Sequence, residues 1–204
     1  MDLSFSELKD LVFNASMGSN LPAGICEDLS FGVTFLESRS LPGGKELLTS
    51  LKCERHPPIL PSKKGLSLIF ADARAIFEGL SAIDFLVSEA CESVVLENID
   101  SSILLVGIAS NYNGLSFCFY NNKEIYAALF NDQLYWKDKN YRGGNHTEIR
   151  LTYSKQNNSL AKRTRMSLDE NTFKDLTSLA SKMLVPESKL SRATGAGAGN
   201  IDND

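Results

Sequence analysis

The hydrophobic period of the chain changes once, and that change constrains its fold more than any other feature. Before about residue 91, apolar residues recur at three- and four-residue steps, the spacing of one helix face; from Val94 onward they alternate, the spacing of a strand. Phe5, Leu8, Leu11, Val12 and Ala15 mark a first helix, with Ser4 or Ser6 as its cap and Gly18-Ser19-Asn20 as its end. Pro22 suits the first turn of a second helix, which carries Cys26, Leu29, Val33 and Leu36 on one face. Phe31 and Phe35 lie on another face, so this helix is expected to be central. Leu41-Pro42-Gly43-Gly44 breaks the chain before a short third helix with Leu47, Leu48 and Leu51. After a connector stiffened by Pro57, Pro58 and Pro61, helical spacing runs from Leu66 through Phe70, Ile76 and Leu80 to Ala90. Leu66 to Phe70 taken alone also fits a buried strand.

Alternation then dominates from Val94 to Tyr153, as in Leu115, Phe117 and Phe119, in Ile125, Ala127 and Leu129, and in Ile149, Leu151 and Tyr153. Asn113-Gly114, Asn121-Asn122 and Asn131-Asp132 supply turn residues between the runs. The expected element is an antiparallel meander of five or six strands. Its second face, with Tyr126, Phe130, Tyr135 and Trp136, is too apolar for open water, so the helices should cover it. Ser167-x-x-Glu170 reads as a capping box that opens a C-terminal helix over 167–185, stopped by Pro186. The expectation is α+β: an antiparallel β-meander sheet covered by N-terminal helices and one C-terminal helix. One domain spans 1–204, with a mainly helical part (1–91), the sheet (94–153), the helix and a Gly-rich tail (186–204).

Several function classes drop out. Twenty-one basic against 25 acidic residues give a net charge of −4, which argues against a nucleic-acid binder. The apolar run from Ile103 to Ala109 is far short of a membrane span, and the acidic start Met1-Asp2-Leu3-Ser4-Phe5-Ser6-Glu7 does not fit a secretory signal. A cytoplasmic protein is therefore expected. Cys26, Cys53, Cys91 and Cys118 stand too far apart for a sequence-local zinc or dithiol motif and read as reduced thiols; Cys53, beside Lys52 and Arg55, has the most cationic setting. His56 reads as a residue of the proline connector and His146 as a partly exposed histidine where a loop meets the start of a strand, and no hydrolase, zinc-protease, EF-hand or phosphate-loop motif occurs. No cofactor and no metal site is expected. Lys162, Arg163 and Arg165 form either a local anion patch or a solvated loop.

The chain closes on Ser191-Arg192, Gly195-Ala196-Gly197-Ala198-Gly199 and Asn200-Ile201-Asp202-Asn203-Asp204. A dinucleotide fingerprint is excluded, because only five residues follow the last glycine and no helix fits there. Together with Leu3-Ser4, Glu7-Leu8, Ala23-Gly24, Glu27-Asp28 and Leu41-Pro42-Gly43, this ending resembles a group of uncharacterised bacterial proteins, a domain of unknown function of about this length. The resemblance implies no reaction, substrate or catalytic residue; it implies that the tail is a family feature. A docked tail could form an anion-binding nest of glycine amides with Arg192 as charge partner, or gather Asp202, Asp204 and the terminal carboxylate; a purely structural clasp is the favoured role.

Two readings follow. One is a small-molecule or anion site near the tail, built from Ser191, Arg192, Gly195, Gly197, Gly199, Asp202 and Asp204, with Asp72 or Asp84 from the middle of the chain. The other is a non-enzymatic accessory subunit that docks on a protein partner or on a second copy of itself. Whether the protein is an enzyme stays open at this stage.

Overall fold

The computed structural model describes residues 1–53, 59–112, 114–130, 133–138, 140–141, 143–151 and 160–183. Helix α1 (Phe5–Gly18) opens on Ser4, which settles the choice of cap. The Glu7 amide donates to Ser4 Oγ (3.3 Å) while the Ser4 amide donates to Glu7 Oε2 (2.8 Å), a reciprocal capping box. Just before it, strand β1 (Asp2–Leu3) pairs antiparallel with a short strand at Met166–Ser167. Helix α2 (Ala23–Glu37) buries Cys26, Leu29, Val33 and Leu36 completely, as its period predicts. Its other apolar face is not central: Phe31 is 44% exposed, and Phe35 is half-buried. Helix α3 (Gly43–Lys52) follows Leu41-Pro42 and turns Leu47 and Leu48 inward.

The middle of the chain departs from the helical expectation. Residues Ser62–Lys64 and Ser67–Phe70 form a hairpin, β2 and β3, turned at Gly65 with φ +63°. Leu66 to Phe70 is thus flanked by a tight turn and by Asp72 at φ 51°, which leaves room for a strand and not for helix turns. Helix resumes as a π-helical turn at Ala75–Gly79 that runs into α4 (Leu80–Val87). These elements carry the chain over to β4 (Ser93–Glu97), which lies parallel to β3, the crossover that a parallel pair requires.

The sheet is therefore mixed, and the purely antiparallel meander expected over 94–153 is corrected. Strands β5 (Ser116–Asn121), β6 (Glu124–Phe130) and β7 (Gln133–Trp136) do form a meander, but β8 (His146–Leu151) inserts between β4 and β5. The order is β2-β3-β4-β8-β5-β6-β7, antiparallel except at β3–β4. Helix α5 (Ser102–Ala109) interrupts the expected strand region, and all eight of its residues are buried. An all-apolar segment shows no period, so its helical state is invisible to pattern reading.

Helix α5 packs between α2 and the sheet. Gly32 of α2 meets Gly107 of α5 backbone to backbone: a Cβ built on Gly107 would stand 2.6 Å from the Gly32 carbonyl oxygen. Phe117, Phe119, Leu96, Leu129, Leu134 and Ile149 are buried in the core that these layers share. Tyr126 and Trp136 belong to that core too, 5.8 Å apart edge to face, and the Tyr126 hydroxyl donates to the Ser102 carbonyl at the start of α5 (3.2 Å). Phe130 and Tyr135, expected beside them, are half-buried. The last helix, α6 (Glu170–Ala180), packs on α1 and α3. Its cap is Asp169, whose Oδ1 accepts the Thr172 amide at 3.0 Å; Ser167 lies in the strand paired with β1, so the capping box expected at 167 does not form.

Candidate functional site

A groove of about 650 Å³ runs along the face of α2 that the core does not use. Its floor is aromatic. Phe31 and Phe35 stand one helical turn apart on α2, and Phe5 joins them from the start of α1, still 40% exposed. Each α2 ring carries a cation: the Lys9 ammonium lies 3.7 Å from the Phe31 centroid, and the Arg39 guanidinium 3.5 Å from that of Phe35. Arg39 is anchored there, since its Nη1 donates to the Phe35 carbonyl (3.2 Å) and to Ser38 Oγ (3.0 Å). Lys162 lines the same end, held near by the bond from the Arg163 amide to the Ser38 carbonyl (2.7 Å). Glu27 and Asp28 line the opposite end with Ser110 and Asn111, which follow α5. The groove thus runs from carboxylates to cations over an apolar floor, the composition of a binding site that orients its ligand by a few polar groups.

Asp28 also faces a second cleft, of about 570 Å³, between the start of α2 and the π-helical turn with α4. Here the Tyr112 hydroxyl donates to Asp84 Oδ1 at 2.6 Å, and Asn111 Nδ2 donates to the Asp28 carbonyl (2.9 Å) and to its Oδ1 (3.4 Å). Burial raises the Asp28 carboxyl above its ordinary value, and the Asp84 charge pushes the same way, against the Asn111 bond. The Tyr112 phenol is raised by burial and by its bond to Asp84. Glu78 is buried in the same wall, but its Oε2 accepts the Arg74 amide (2.9 Å), so it serves the π-helical turn. Two carboxylates beside a phenol can exchange protons or hold a donor such as an amine.

A third cleft, of about 370 Å³, gathers Lys45, Arg163 and Arg165 near Glu37 and Asp169. It answers part of the basic-patch question, because Arg163 and Arg165 line a shaped surface while Lys162 belongs to the α2 groove. The start of α3 has no side-chain cap of its own. Glu37 substitutes: its buried Oε1 accepts the Gly44 amide at 2.9 Å. The chain's own carboxyl group thus occupies the position that an anion would take.

Asp84 is the sequence candidate that the structure brings into a cleft. Asp72 stays at a surface turn and accepts a bond from Asn98 Nδ2 (2.8 Å). Ser191, Arg192, Gly195, Gly197, Gly199, Asp202 and Asp204 lie outside the described residues. Among the described residues, no group of three or more His, Cys, Asp or Glu side chains is placed to hold a metal ion, and no helix is long and apolar enough to cross a membrane. Cys26 and Cys118 are buried, Cys53 and Cys91 half-buried; burial raises the Cys26 and Cys91 thiols, the latter against the nearby Lys63 charge. Phe31, Phe35 and, just past the end of α2, Arg39, spaced four apart, were a legible signal for a second face along α2, but period alone does not say which of two apolar faces stays open.

Residues 3–73 match the model of a family described as a protein of unknown function (DUF3726). Over that segment the chain is similar to an uncharacterised family. The matched stretch contains Leu3-Ser4, Glu27-Asp28 and Leu41-Pro42-Gly43, and it supplies Phe5, Phe31, Phe35 and Arg39 of the groove; the C-terminal tail lies beyond it. No curated protein and no solved structure matches the chain. The family match carries no activity, and the function of the protein is unknown.

Proposed function

We propose that the protein binds a small organic ligand in the groove along α2. The observation that carries this reading is the aromatic floor: Phe5 and Phe31, 40% and 44% exposed, both line a 650 Å³ concavity with charges at both ends. Exposed rings so grouped keep apolar surface in contact with water, and covering them with a ligand's apolar body is favourable. The reading takes residues 1–204 as a single domain, supported by one apolar core that reaches from Leu3 to Leu176. It also places the protein in the cytoplasm, supported by cysteines that stand as thiols. The C-terminal tail, outside the described residues, enters the reading as a structural clasp.

A thermal-shift screen of aromatic carboxylic acids and aromatic amines tests the proposal. At least one class is expected to raise the melting temperature of the wild type, and Phe31→Gln should abolish the shift while leaving the unliganded melting temperature within a degree or two, because the ring is surface-exposed. Binding that survives Phe31→Gln unchanged overturns the reading.

A further inference from the structure

Resting on the ligand-binding reading above, we propose that the groove takes a short peptide with free termini, four or five residues long, with its amino end at Asp28 and its carboxylate at Arg39 and Lys162. The polarity of the groove argues for it. Asp28 and Glu27 stand at one end, Arg39 and Lys162 at the other, and the floor between them is the Phe31–Phe35 face. Asp28 stands on α2 and Arg39 lies two residues past its end at Glu37; the nine helical steps from Asp28 to Glu37 alone rise about 14 Å at about 1.5 Å per residue. An extended chain covers about 3.3–3.6 Å per residue, so about four or five residues bring two termini to the two charged ends.

The walls suit a peptide better than a featureless apolar acid. Gln133 brings a side-chain amide to the groove, and Asn111, whose Nδ2 is bonded to Asp28, offers its Oδ1 as an acceptor for a peptide N–H. Gln133 stands on β7, the edge strand of the sheet. The rings below accept apolar side chains of the ligand, and a free ammonium and a free carboxylate each find opposite charge at one end of the groove, where charge-assisted hydrogen bonds hold them.

Isothermal titration of the full chain at low salt with Ala-Phe-Leu-Ala in four forms tests the proposal: free, N-acetylated, C-amidated and doubly capped. Each single cap is expected to weaken binding about tenfold. Asp28→Asn should erase the penalty of acetylation but not that of amidation, and Lys162→Gln should reduce the penalty of amidation alone. The dipeptide Phe-Leu, too short to reach both ends, should bind at least about tenfold more weakly than the free tetrapeptide. The caps change only the ligand, so this comparison does not depend on how a variant folds. Equal affinity for the free and doubly capped peptides overturns the proposal and leaves the groove reading standing. So does the absence of peptide binding when aromatic acids still bind in a Phe31-dependent way. If neither peptides nor aromatic compounds bind, both readings fall.

Discussion

At the residue scale, Glu37 is the side chain with the clearest thermodynamic signature. Burial pushes its carboxyl from the ordinary 4.5 up to about 7; the Gly44 amide bond opposes this, and the Asp169 charge adds to it. In the unfolded chain Glu37 loses its proton near its ordinary value, whereas the folded protein keeps it to about pH 7. The unfolded state therefore binds fewer protons in this window. Stability from this group is complete below about pH 4.5, falls as pH rises, and levels off above about pH 7, a total of about 3 kcal/mol. Glu37→Gln keeps an oxygen for the Gly44 amide and cannot ionise. Urea unfolding from pH 4.5 to 8 should show the wild type losing stability relative to this variant by that order, and a constant difference across the range would contradict the account. None of this was legible from sequence. Glu37 reads as the polar end of a helix until the turn at Leu41-Pro42 folds α3 back onto it.

At the element scale, the α2–α5 crossing decides how the helices lie on the sheet. The two backbones touch at Gly32 and Gly107, where an added Cβ on Gly107 would also come within 2.8 Å of Leu36 Cδ1. Gly107→Ala should destabilise the protein by about 1–3 kcal/mol, the cost of overpacking a rigid contact. Gly24→Ala, in the same α2 but with open space around it, should be neutral or slightly stabilising and serves as the control. Equal denaturation midpoints for the two variants would show that the crossing is looser than described. Elements with a sharp amphipathic period, α1 and α2, were readable almost to the residue, since one face of each is fully buried. Helix α5 and strand β3 were not: the first is apolar on every side, and the second is four residues long beside helical spacing. The C-terminal helix was readable by its period but not by its cap, because Ser167 is consumed in pairing with β1 and Asp169 takes its place.

At the scale of the whole molecule, the layers explain why a groove exists at all. Helix α5 fills the space between α2 and the sheet, so α2 spends its Leu29–Val33–Leu36 face on α5 and its neighbours and leaves its Phe31–Phe35 face to the surface. The apolar period alone puts both faces inside, because it shows no helix α5 beneath α2. The mixed sheet has a similar origin: the parallel β3–β4 pair needs the α4 crossover, and the segment before α4 resembled more helix. The measurement that bears most directly on the ligand-binding account is a fragment screen of aromatic carboxylic acids and amines followed by proton–nitrogen correlation spectra of the full chain. The account predicts that binding fragments shift the amides of Phe31, Phe35, Arg39 and Asn111 together, along one line on the surface. Fragments that bind only elsewhere on the protein, or a screen at millimolar concentrations that moves none of these amides, would contradict it.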